Sequence, residues 1–222
     1  GEIDKAGYRA DGSKWDDPFD AKKGGAQWYE YIPELFQLFD VKDTRRDATF
    51  MASYKKDSEN NLALWGTHVC KNIGYINAEG NRVYCGDYVF YRLPWVYLSL
   101  AEIANMEGDN ANVEKYVNLV RKRAYAENWD ENIYAYKAGD FTQNELAILH
   151  EKDKEFVQEG QRWWDVLRMT LTKGGKHLVF CKEANLKNNG QPILNEATEA
   201  YKVLWPIEQK MLDKDPEIKQ TP

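Results

Sequence analysis

Between residues 93 and 124 the chain carries two apolar stripes at helical spacing, and this pair constrains the fold more than any other feature. Leu93, Tyr97, Leu100, Ala101 and Ala104 recur at intervals of three and four, with Pro94 near the start and Gly108 past the end. This pattern predicts a helix of about four turns, because proline is tolerated in a first turn and glycine stops a last one. A Gly-Asp-Asn turn follows, and Val113, Tyr116, Val117, Val120 and Ala124 then form a second stripe. So short a connection makes the two helices antiparallel neighbours, and the small residues let them pack closely.

A second helical unit follows an irregular aromatic segment. Thr142 and Glu145 read as an S/T-x-x-E capping box before Leu146, Leu149, Phe156 and Val157, Gly160 interrupts, and Trp163, Val166 and Leu167 predict a further helix to about Thr170. Two helical hairpins suggest tetratricopeptide-like units, whose period is about 34 residues, although the W-L-G-Y pattern of ordinary repeats is absent. Ile32, Leu35, Phe36 and Phe39 with Pro33 predict a short helix over 32–40. Residues 49–91 are polar, Asn/Gly-rich and dotted with aromatics, and Asn-Ala-Glu-Gly-Asn between Ile76 and Val83 reads as a hairpin turn. Tyr201 to Trp205 alternates like a short strand before Pro206. The fold class is therefore mainly α, with tetratricopeptide-like helical hairpins, long irregular loops and short β-hairpin or strand elements. It divides into an arm and short helix (1–48), an aromatic-rich excursion (49–91), helical hairpins (92–170), and a loop, short strand and tail (171–222).

Composition excludes several classes. With 222 residues, 30 Lys+Arg and 36 Asp+Glu, the net charge of -6 and pI near 5.3 leave no basic footprint for nucleic acid, and acidic membranes repel such a surface. The most apolar run, Leu93 to Ala104, is broken by Ser99 and Glu102, so no spanning segment is expected. The start, Gly-Glu-Ile-Asp-Lys, has neither signal-peptide regions nor an initiator Met and reads as that of a fragment. Cys70, Cys85 and Cys181 are an odd count without CxxC spacing; free thiols are expected, with Cys70 and Cys85 the pair that could close a loop.

No metal or nucleotide chemistry is indicated. His68, His150 and His177 are isolated, and Gly24-Gly25 and Gly174-Gly175 lack a phosphate-loop signature, so no metal site and no cofactor are expected. Glu151, Glu155, Glu159, Arg162, Asp165 and Arg168 recur at three and four. A glycosidase would use two such carboxylates as acid and base, but alternating signs at this spacing read better as ion pairs, because a neighbouring Arg lowers a carboxyl pKa. Glu159, Arg162 and Asp165 are thus expected in structural ion pairs, and catalytic residues are not. Glu102 lies amid Leu98, Leu100, Ala101 and Ala104 and needs a cation, which Arg121 or Arg123 of the partner helix could supply. The 8 Trp, 14 Tyr and 8 Phe are an unusual aromatic load. Rings cover the apolar faces of sugars, with polar groups around them for the hydroxyls. Tyr97, Tyr116, Trp163 and Trp164 read as packing residues, whereas Trp65, Tyr75 and Tyr84, in polar sequence, are the candidate ligand-binding residues.

Three stretches also resemble a known family. Tyr91-Arg-Leu-Pro-Trp through Asn105, Tyr116-Val-Asn118 through Ala124, and Glu151 through Glu159-Gly-Gln-Arg162-Trp-Trp-Asp165-Val-Leu-Arg168 are similar to the SusD/RagB family of outer-membrane nutrient-binding lipoproteins. Asp43-Thr-Arg45-Arg46-Asp47 and the ending from Leu204-Trp-Pro-Ile to Pro222 fit the same family, in order. Glu151-Lys152 stands where the family usually has Glu-Arg. The resemblance implies the C-terminal part of a SusD-like domain and a non-enzymatic, cell-surface protein. Such a protein binds a glycan and delivers it to a SusC-like TonB-dependent transporter, held to the outer membrane by a lipid anchor outside this chain. A helical-repeat scaffold for protein partners, with no sugar site here, is the alternative.

Overall fold

The computed structural model describes residues 7–14, 31–72, 74–83, 85–87, 89–187 and 189–220, and of Arg82 only the backbone. Pro33 opens α1 (Pro33–Gln37), which turns Leu35 inward. Asp43 caps α2 (Thr44–Thr49) by accepting from the Arg45 amide. Two strands that the periodicity did not indicate follow. In an antiparallel hairpin, β1 (Phe50–Lys56) pairs with β2 (Leu62–Val69), Phe50 opposite Val69 and Lys56 opposite Leu62. The expected smaller hairpin, β3 (Tyr75–Ile76) with β4 (Arg82–Val83), is present.

Both hairpins close with one turn chemistry. The Oδ1 atoms of Asp57 and Asn77 each accept from the amide four residues on, of Asn61 and Asn81. The fourth turn residue is left-handed in both, Asn60 at φ 68 and Gly80 at φ 76. Only the second turn has the glycine that announces this conformation; in the first, asparagine tolerates it.

The predicted helical hairpin is α3 (Leu93–Glu107) and α4 (Asn110–Tyr125). Gly108, left-handed at φ 78, ends α3, and Asp109 caps α4 through the Asn112 amide. Leu98, Ala101 and Ala104 bury against Val113, Val117 and Val120. Leu93, expected in the inward stripe, is 58% exposed. Because α3 is apolar almost all round, spacing alone could not select its buried face.

After α5 (Glu131–Tyr134), α6 (Phe141–Glu155) begins two residues earlier than expected. The capping box is Asp140 with Gln143, not Thr142 with Glu145. Thr142 instead donates to the Leu171 carbonyl at 2.9 Å, and Glu145 lies buried against Asn105. Gln158 (φ 63) and Gly160 (φ 71) then reverse the chain into α7 (Arg162–Arg168). In the tail, α8 (Glu196–Glu199) runs into a 3-10 turn over Ala200–Val203, where a strand was expected, and α9 (Gln209–Leu212) follows. With no pairing strand for Tyr201–Trp205 among the described residues, the backbone there closes its own hydrogen bonds instead.

The main core lies between α3, α4 and α6, with Ile148 and Leu149 of α6 fully buried, and a smaller cluster joins Leu35, Phe39, Phe50 and Val157. The architecture is mainly α, of stacked tetratricopeptide-like helical hairpins. All three cysteines are free thiols.

Candidate functional site

The C-terminal half of α6 organises the region where the two hairpin systems meet. Glu151, Lys152, Asp153, Lys154 and Glu155 are five consecutive charged residues, and all are buried. On one flank, Arg45 reaches Glu151 at 2.7 Å and Glu155 at 2.9 Å while holding Asp43. Glu151 also meets Arg121 at 2.9 Å and Lys154 at 3.1 Å. Burial alone would raise the Glu151 carboxyl, but the charges of Lys154, Arg45 and Arg121 outweigh it and hold the group well below the ordinary carboxylate range. Glu155 is lowered in the same way, burial being outweighed by Arg45 and Arg92.

This flank also pins the turn after α6. Lys71, just past β2, donates to the carbonyls of Glu155 at 3.1 Å and Val157 at 3.3 Å and pairs with Glu159. Arg92, at the start of α3, donates to the Glu155 carbonyl at 2.6 Å and to Glu159 at 2.9 Å. The other flank is separate: Lys152 pairs with Glu102 and, at 2.9 Å, with Asp165, Arg168 meets Glu102 and Asp165, and Arg162 meets Asp153.

These pairings correct one expectation. Glu102 is neutralised by Lys152 and Arg168, not by Arg121 or Arg123; Arg121 belongs to Glu151, and Arg123 to Glu155. The reason is placement, since α3 packs against α6 as well as α4 and Glu102 serves the α6–α7 side. Glu159, Arg162 and Asp165 each sit in an ion pair, but with partners from other elements and not along one ladder, because Gly160 breaks the helix between them. One carboxyl is shifted the opposite way. Burial, with Glu102 adding repulsion, pushes Glu145 up to about 7 against the Asn105 amide, which donates to it at 2.9 Å. Among the described residues no group of His, Cys, Asp and Glu is arranged to hold a metal ion.

The candidate ligand aromatics are scattered over the hairpins. Trp65 lies on β2, 36% exposed, with the Lys55 ammonium 3.7 Å from its ring centroid. Tyr75 stands on β3, 55% exposed. Tyr84 lies outside the described residues. Reading by periodicity missed a cleft of about 500 Å³ between the start of α1, the turn after α6 and the tail. Tyr31, Val157, Gln158, Trp163 and Trp205 line it, with Asp153 and Arg162 at its polar wall. Trp163, read as a packing residue, does pack on the core and also faces this cleft. Trp205, 75% exposed beside Pro206, carried the available signal: a large ring in sequence without helical spacing.

Stacked helical hairpins bearing two small β-hairpins, with exposed rings on the hairpins and tail, define a tetratricopeptide-like helical protein of the SusD type. Residues 73–222 match the SusD family, and the chain belongs to it. A SusD superfamily protein from Bacteroides fragilis aligns at 65% identity over 98% of this chain and 45% of its own, with a TM-score of 0.91. NanU of B. fragilis aligns at 25% identity over 99% of this chain and 44% of its own, TM-score 0.70. A Bacteroides vulgatus protein described as sugar-binding aligns at 26% over 84% and 37%, TM-score 0.50. The chain thus spans less than half the length of these solved structures. No curated protein matches it.

Proposed function

We propose that the protein binds a glycan at the cell surface without hydrolysing it and delivers it to a SusC-like TonB-dependent transporter of the outer membrane. The observation that carries this reading is family membership together with 65% identity to a SusD superfamily structure across nearly the whole chain. A neighbour described as sugar-binding supports the ligand class. We read residues 1–222 as the C-terminal part of a SusD-like domain, attached to the membrane by a lipid anchor elsewhere in the protein; no described helix is long and apolar enough to cross a membrane. Trp65, Tyr75 and Tyr84 are the ring platforms of this reading, Tyr75 the more open of the two described, since Lys55 covers one face of Trp65. A glycan array followed by calorimetry on the full-length protein tests it: a saturable glycan ligand, recovered unhydrolysed, is expected. Absence of any saccharide affinity, with the transporter still captured, would favour a second reading as a protein-interaction scaffold. The exposed row Leu93, Val96 and Ile103 on α3 supports that alternative.

A further inference from the structure

We infer that the cleft between Tyr31, Trp163 and Trp205 is a subsite for one neutral pyranose ring, separate from the hairpin aromatics. The inference rests on the glycan-binding reading and assigns it a place. The cleft's volume of about 500 Å³ falls in the range of small-molecule sites, which combine an apolar lining with a few placed polar groups. Of its rings Trp205 is 75% exposed, whereas Tyr31 and Trp163 are partly buried and also pack on the apolar clusters. Two buried polar atoms of its lining residues lack any hydrogen-bond partner among the described residues: Asp153 Oδ2, an acceptor, and Trp163 Nε1, a donor. Such atoms are normally paired, and a sugar hydroxyl donates and accepts at once.

Charge selects the class of sugar. The ionic groups of the wall are matched, Asp153 with Arg162 and Asp165 with Lys152, so no net charge asks for an ionic ligand. The rim is built at some cost. Gln158 is left-handed at φ 63, a strained conformation for a non-glycine residue, and the Lys71 and Arg92 contacts hold its turn in place. The exposed Gln158 amide at the edge supplies a further donor and acceptor for ring hydroxyls.

The test is a tryptophan-fluorescence and calorimetric titration of the full-length protein with glucose, galactose, mannose, N-acetylglucosamine and, as the charged control, glucuronate. At least one neutral sugar should bind and glucuronate should bind more weakly. Gln158→Gly, which accepts the left-handed turn without strain, should leave the unfolding midpoint unchanged or higher yet weaken the sugar at least about fivefold, the scale of one missing hydrogen-bonding side chain. Trp205→Ala should weaken it further. Undiminished monosaccharide binding in both cleft variants, stronger binding of glucuronate, or only an ordered water bridging Asp153 and Trp163 in a sugar-soaked crystal would overturn the subsite. If array glycans bind and are lost in Tyr75→Ala but not in Gln158→Gly, the subsite fails while the broader function stands. If no glycan binds, both fail.

Discussion

The α3–α4 seam and the charged end of α6 are both buried, yet they reach burial by opposite means. The seam interdigitates Leu98, Ala101 and Ala104 with Val113, Val117 and Val120 and needs no partner beyond shape. The α6 half buries five charges in a row, each answered by a group from another element. Truncating an apolar side chain in the seam costs transfer energy and leaves a cavity, whereas truncating a partner in the hub strands a buried charge. The seam determines how the helices pack; the hub determines which distant segments must dock on them.

The sharpest test removes Glu151, which sits between Arg45, Arg121 and Lys154. Glu151→Ala should destabilise by about 3–5 kcal/mol in denaturant titration, because three cations lose a buried counter-charge. A cost below that of an ordinary surface change would show the hub to be hydrated and the contrast empty. In the seam, Leu98→Ala should cost about 3 kcal/mol, and that cost should not vary with pH or salt. A salt-dependent cost would show the two regions to be coupled.

Glu145 lies where the regions meet and gives the comparison a pH axis. Its folded pKa, about 7, is raised above the ordinary value of 4.5. Between these values the unfolded chain has released the proton that the folded chain keeps, so stability falls as pH rises through this window and is level above it. The decline should be on the order of 3 kcal/mol, and Glu145→Gln should flatten it. A Glu145→Gln variant with the parent's pH profile would assign the slope to another group. The smallest effect belongs to Arg123, which is 57% exposed although it pairs with Glu155. Arg123→Ala should cost less than about 1 kcal/mol, since Glu155 keeps Arg45 and Arg92. A larger cost would extend the hub to its solvated edge.

Readability from sequence followed the same division. The α3–α4 hairpin is local, so Gly108 and two stripes announced it, although not the face that α3 buries. The β1–β2 hairpin was hidden because Asn60 does the work that Gly80 does openly in β3–β4. The hub read as ion pairs between near neighbours because i,i+4 spacing reports contacts within a helix, whereas Glu151 is answered by Arg45 from 106 positions away. Glu102 drew the wrong cation for the same reason: its partners, Lys152 and Arg168, lie on helices that the sequence does not mark as adjacent to it. Of the candidate rings, Trp65 and Tyr75 stood out by their polar surroundings, but the cleft is assembled from Tyr31, Gln158, Trp163 and Trp205, which no single window of sequence contains.

The order of charges along the chain also bears on its synthesis. Arg45, Lys71, Arg92, Arg121 and Arg123 all leave the ribosome before Glu151, Glu155 and Glu159, the carboxylates that they contact. Until that short stretch emerges, Arg45 has Asp43, but none of these cations has the carboxylates of α6 and the turn after it. The arm can therefore meet α4 early, through Thr44 on the Ala124 carbonyl, but the ion pairs that tie Arg45, Lys71 and Arg92 to the end of α6 form only after that stretch is made.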